Sequence, residues 1–249
     1  MLDLSPFMLA SVAVTFFAAG IVKGVTGMGL PTVAMGVLGS LIGPLTAATL
    51  LIAPSFVTNL WQLFAGPSFG RLVRRLWPMM GAIVIGTVLA SSFIASGNTT
   101  VTTAALGGAL ALYSLYTLFA RQLSVPKSAE PWLSPVVGAV TGMVTGATGV
   151  FVIPAVPYLQ ALGLSKDDLV QALGLSFTVS TIALAVGIGA QGAYQLEQLT
   201  FSILAVFPAL VGMWAGQLIR DRISPNAFGR GFLIFLFLLG SEMGLRPLF

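Results

Sequence analysis

Lys23 is the one charged residue in GIVKGVTGMGLP, residues 20–31, where every neighbour is apolar, small or hydroxylic. An ammonium in apolar surroundings is costly unless something meets it, and glycine and proline interrupt helices. Together these residues point to anion binding. The lysine would supply charge, and backbone N–H groups around Gly24, Thr26, Gly27 and Gly29 would add donors, because glycine lets a backbone approach a ligand closely. Pro31 suits the first turn of a new half-helix, whose N-terminus carries about half a positive charge. The competing reading is that Lys23 ends a membrane span and reaches to the interface along its own stem.

Other polar residues recur at helical spacing. Ser55, Thr58, Asn59 and Gln62 stand at i, i+3, i+4 and i+7 and share one helix face. Amides face lipid badly, so this face turns inward, either to line a polar path or to bind neighbouring helices. The second-half stretch TGMVTGATG offers Thr141, Thr145, Gly146 and Thr148 without a cation; helix packing by small residues is its alternative. Gln171, Thr178 and Thr181 form one stripe, and Ser176 with Ser180 an adjacent one. There the hydroxyls can instead bond carbonyls four residues back. Asp167 and Asp168 fit a helix N-terminus, and Glu242 with Arg246 an i,i+4 pair. Glu242 is also the only acid within a hydrophobic run, and so a candidate for proton coupling. The RDR cluster, 220–222, reads as an orientation anchor and an anion funnel.

The solvent for these residues follows from composition. Of 249 residues, 57% are hydrophobic and 7% charged, with mean hydropathy +0.99. A soluble domain carries about 25% charged residues, so the chain is read as an integral membrane protein. Its 11 Lys+Arg fall in short clusters between apolar runs, the pattern of cytoplasmic loops rather than of nucleic-acid binding. With no histidine and no cysteine, imidazole acid–base chemistry, thiol nucleophiles and the usual metal sites are excluded. No enzyme, metal or cofactor is expected. MLDLSP has an acid, Asp3, and no basic region, so 6–22 is expected to be a permanent span rather than a cleaved signal.

Apolar runs cover 6–22, 30–42, 45–65, 76–96, 100–120, 132–146, 150–163, 167–190, 198–219 and 228–246. Two of them, 30–42 and 150–163, are short against the roughly 20 residues of a full crossing. They belong to hairpins, 6–42 and 132–163, that re-enter or cross. The polar segment RQLSVPKSAEP, 121–131, separates 1–120 from 132–249. Thr26-Gly27 matches Thr145-Gly146, and Gly66, Gly86 and Ala90 share their spacing with Gly192, Gly212 and Gly216. In that register RLVRR, 71–75, falls opposite EQLTF, 197–201, whereas FIASG, 93–97, falls opposite IRDRI, 219–223. The basic end has changed sides. The expected fold is therefore all-α, two inverted repeats of a short interrupted helix pair plus three spans. Arg71, Arg74, Arg75, Arg121, Lys127, Lys166, Arg220, Arg222 and Arg230 would be cytoplasmic and both termini outside. Inverted repeats mark secondary transporters, whose sites form where interrupted segments meet.

On these motifs the chain resembles the sulfite exporter TauE/SafE family, which repeats a glycine-rich motif after the first run of each half. The last third, GQLIRDRISPNAFGRGFLIFLFLLG, is similar as well. The resemblance implies a cell-membrane carrier for a small anion such as sulfite or an organosulfonate. No nucleotide-binding loop is present, so a gradient, with a proton or cation as possible partner, would drive it. Outward movement of an anion is favoured by an inside-negative potential, hence export. An anion channel and a membrane scaffold are the alternatives.

Overall fold

The computed structural model describes residues 6–120, 123–220 and 222–246, the side chains of Leu196 and Pro225 excepted. Asp3, Arg121 and Asp221 lie outside the described residues. The described residues form ten helices and no strand: α1 Pro6–Thr26, α2 Leu30–Ile42, α3 Pro44–Phe64, α4 Phe69–Ala95, α5 Thr99–Phe119, α6 Glu130–Thr148, α7 Ala155–Ala161, α8 Lys166–Ala190, α9 Leu196–Arg220 and α10 Pro225–Leu245. Seven of them, α1, α3, α4, α5, α8, α9 and α10, are long and apolar enough to cross a bilayer.

Local chemistry sets the boundaries. Gly27 closes α1 at φ +79°, donating its N–H to the Lys23 carbonyl at 2.8 Å, and Gly149 closes α6 at φ +73°, donating to the Thr145 carbonyl at 2.7 Å. Both caps use the left-handed backbone that glycine adopts without penalty. The preceding threonines repeat one device. Thr26 donates to the Val22 carbonyl at 2.8 Å and accepts from the Met28 N–H; Thr148 donates to the Val144 carbonyl at 2.7 Å and accepts from the Val150 N–H. The cap at Thr26-Gly27 thus recurs at Thr148-Gly149, three residues beyond the Thr145-Gly146 match drawn from sequence.

Two runs change extent. The run 150–163 is helical only over Ala155–Ala161, bounded by Pro154, which has no N–H to give a preceding turn, and by Gly163 at φ +64°. Helix α4 begins at Phe69, seven residues before its apolar run, because Arg71 and Arg75 find carboxylates. Arg71 pairs with Asp168 at 2.7 Å and Arg75 with Glu130 at 2.6 Å. Hydropathy discards a charged turn that ion pairs hold in place.

Small residues decide which helices touch. Helix α1 runs parallel to α9, with Gly20 against Ala209 and Met213, and Gly24 against Met213 and Gly216. Helix α6 runs parallel to α4 in the same way, with Gly142 against Ile83 and Thr87, and Gly146 against Thr87 and Ala90. Helices α5 and α10 cross antiparallel, Gly107 resting on Gly240 and Gly244. Helices α3 and α8, the most buried spans, pack on each other, α3 also meeting α9 and α8 also meeting α4. Backbones this close gain dispersion that lipid cannot match.

The ion pairs gather the starts of α4, α6 and α8 at one end of the bundle. Gln62 brings the end of α1 to the same place, donating to the carbonyls of Gly27 at 3.0 Å and Val170 at 3.1 Å. At the opposite end Arg246 joins α10 to α2, bonding Glu242, the Ser40 carbonyl and the Ser40 hydroxyl at 2.8 Å. Helix α1 therefore finishes at the end where α6 starts.

Candidate functional site

Lys23 does not reach the surface. It sits in the last turn of α1 with 4% of its area exposed. Its ammonium donates to the Thr58 hydroxyl at 3.2 Å and to the Asn59 side-chain oxygen, both on α3. Thr58 can accept because its own hydrogen goes to the Pro54 carbonyl at 2.8 Å, which a lysine cannot contest. Asn59 is oriented in turn: its amide nitrogen donates to Ser55 at 3.0 Å and to Thr181 at 3.4 Å. Thr181 passes its hydrogen to the Phe177 carbonyl at 2.7 Å. Every hydrogen along this line points away from the lysine, so oxygen lone pairs face it.

Pro54 leaves a gap in the ladder of α3, because it has no N–H to bond the Leu50 carbonyl. Ser202 of α9 repairs the gap, donating to that carbonyl at 2.9 Å and accepting the Ala53 N–H at 3.0 Å. The break thus also ties α3 to α9.

An ammonium has three hydrogens, and Thr58 and Asn59 account for two. Beside it lies a cavity of about 130 Å³ lined by Lys23, Gly24, Gly27, Thr58, Trp61, Gln62, Ala65, Val170, Met213, Gln217 and Arg220. Among the described residues no carboxylate bonds to Lys23 or lines this chamber. A buried cation held only by neutral oxygens keeps much of its attraction for an anion, because the surroundings screen it less than water does.

The structure separates the sequence-derived residues. Lys23, Ser55, Thr58, Asn59 and Thr181 form one network, and Gly24, Gly27 and Gln62 complete the chamber wall. Gln171 is elsewhere: its amide donates to the carbonyls of Leu63 at 2.8 Å and Gly66 at 2.7 Å and accepts the Ser68 N–H at 2.8 Å. That saturates its hydrogen-bonding nitrogen and makes it a clamp on the α3–α4 turn. Gln171→Leu should therefore destabilise the protein by about 2 kcal/mol by stranding these backbone groups, read as a lower thermal midpoint in detergent.

Thr178 donates to the Gly174 carbonyl and Thr145 to the Thr141 carbonyl, both at 2.7 Å, while Thr141 itself is buried without a bond. Gly146 packs on Thr87 and Ala90 of α4, and Thr178 lies on the stripe of α8 between Gly174 and Thr181, which meet α3; none of these residues, nor Thr148, lines the chamber. Gly29 caps α2 at φ +103°. The N–H groups of Gly27 and Met28 are taken by the Lys23 carbonyl and the Thr26 hydroxyl, so they are not the free donors the motif implied. Gln217 escaped the sequence reading. Its signal was present, an amide inside the apolar turn before Arg220.

Seven apolar helices packed through glycine faces, with a lysine sealed among them, define a multi-pass membrane protein. The model of the sulfite exporter TauE/SafE family matches residues 12–243, nearly the whole chain, and the chain belongs to that family of membrane transporters. No curated protein and no solved structure matches it.

Proposed function

We propose that the protein exports a small oxyanion, sulfite or an organosulfonate, from the cell by alternating access, with the Lys23 chamber as its binding site. The observation that carries this is a buried lysine that no described carboxylate meets and whose third hydrogen is left for a ligand. Lys23 neutralises the anion, Thr58 and Asn59 hold the ammonium in place, and Gln62 and Gln217 border the ligand. The halves 1–120 and 132–249 act as inverted repeats in the inner membrane. Support comes from the recurring contacts, α1 on α9 as α6 on α4, and from the opposite direction of α1 and α6. The arginine-rich end is cytoplasmic by the distribution of Lys and Arg, which puts both termini outside. Rocking of the halves would expose the chamber to each side in turn.

Proteoliposomes loaded with unlabelled sulfite should accumulate external labelled sulfite transiently, by counterflow. Steady, non-saturating flux without counterflow would make the protein a channel, and no flux of any sulfur oxyanion would make it a scaffold.

A further inference from the structure

Three of the described arginines, Arg71, Arg75 and Arg246, are tied to carboxylates. Arg220 and Arg230 form no ion pair among the described residues, and both line a second cavity of about 530 Å³ at the arginine-rich end. Helices α1, α5, α7, α9 and α10 line it, and no acidic residue borders it among the described residues. Two guanidinium groups that no described carboxylate neutralises repel each other across this hollow, so the arrangement favours an anion between them.

The walls add directional groups. Tyr113 is 3% exposed, and its hydroxyl has the Met28 sulfur at 3.6 Å and the Thr117 side chain as partners. A thioether is a weak acceptor, so a charged oxygen in the cavity would draw this phenol hydrogen away from it. Asn226 lines the cavity from α10, one turn before Arg230. Phe232 and Leu233 supply an apolar floor. Arg220 is the link, because it lines both this cavity and the Lys23 chamber.

We infer that this cavity is a second anion station, where Arg220 and Arg230 collect an oxyanion before Arg220 passes it to Lys23. The ligand is a sulfur oxyanion with room for a short organic tail over Phe232 and Leu233. The relay to Lys23 rests on the chamber being the transport site; the station itself does not. A guanidinium pair at the mouth raises the local anion concentration and the capture rate, not the rate of the later rearrangement.

The test is labelled-sulfite flux in proteoliposomes of neutral phosphatidylcholine, with sulfite-induced thermal shifts in detergent. Arg230→Gln should raise KM about tenfold with kcat little changed, and flatten the dependence of kcat/KM on ionic strength. Arg230→Lys should recover most of the loss. Lys23→Met should keep a weak, salt-sensitive thermal shift that adding Arg220→Gln and Arg230→Gln removes. Unchanged KM in Arg230→Gln, or a fall in kcat alone, overturns the station. So does an effect seen only in membranes containing anionic lipid, which would make the cavity a lipid-headgroup site. A raised KM in Arg230→Gln beside normal flux in Lys23→Met would keep the station and remove the chamber.

Discussion

Lys23→Met is expected to abolish sulfite flux and, at the same time, to leave the thermal midpoint close to that of the wild type. Lys23 is buried with no carboxylate beside it among the described residues, so folding carries the cost of removing an ammonium from water or the headgroup layer. Insertion scales put that cost at about 2.5–3.5 kcal/mol for lysine at the centre of a membrane helix and less towards its end, where Lys23 sits. Losing its bonds to Thr58 and Asn59 gives back about 1.5–3 kcal/mol for each and takes the donor from the Asn59 side-chain oxygen. The terms are of one size, so methionine, which fills similar volume without charge, should leave the midpoint near its wild-type value. Flux does not stay level. Breaking a buried ion contact costs about 3 kcal/mol or more, which is about a hundredfold in affinity. Thermal unfolding in detergent and initial rates in proteoliposomes read the two quantities separately. A lower midpoint with flux intact would make Lys23 a clamp between α1 and α3, and the chamber would then hold no substrate.

Lys23, Ser55, Thr58 and Asn59 were legible in the sequence for a simple reason. A single charge in an apolar stretch has few explanations, and the i, i+3, i+4, i+7 spacing leaves only one helix face. The second-half residues were not, because a hydroxyl or amide on an inward face looks the same whether it meets a ligand or a carbonyl. Gln171 shows this best: its role depends on the Gly66–Ser68 turn, which composition does not place. The match of Thr26-Gly27 with Thr145-Gly146 stopped three residues short of Thr148-Gly149, where the same cap recurs. Local identity at Thr145-Gly146 outweighed the cap geometry that pairs Gly27 with Gly149. Extent failed where charge or proline overrides hydropathy, at the start of α4 and around Pro154. Arg220 was visible as a charge but not as a residue of the chamber, since only packing of α9 on α1 brings it beside Lys23.

Glycine contacts lead to the second large effect. Gly142→Leu should prevent accumulation of folded protein, whereas Gly81→Leu should be tolerated. A Cβ on Gly142 of α6 would meet the Ile83 carbonyl of α4, with the Thr87 nitrogen at 2.8 Å and the Gly86 Cα at 3.0 Å. These are backbone atoms and cannot rotate away, so the helices must part along their whole seam. Overpacking of this kind costs about 3 kcal/mol or more, and in lipid no hydrophobic gain on closing the seam offsets it. Gly81 of α4 has nothing within 4 Å of the same position, so a side chain there enters open space and gains about 1 kcal/mol of helix propensity. Gly20 of α1 repeats the Gly142 environment against α9, with the Met213 nitrogen at 2.8 Å. Gly20→Leu should therefore fail as Gly142→Leu does, read by size-exclusion profiles of fluorescently tagged variants in detergent. Monodisperse Gly142→Leu and Gly20→Leu at wild-type yield would mean that the α4–α6 and α1–α9 seams do not hold the bundle together.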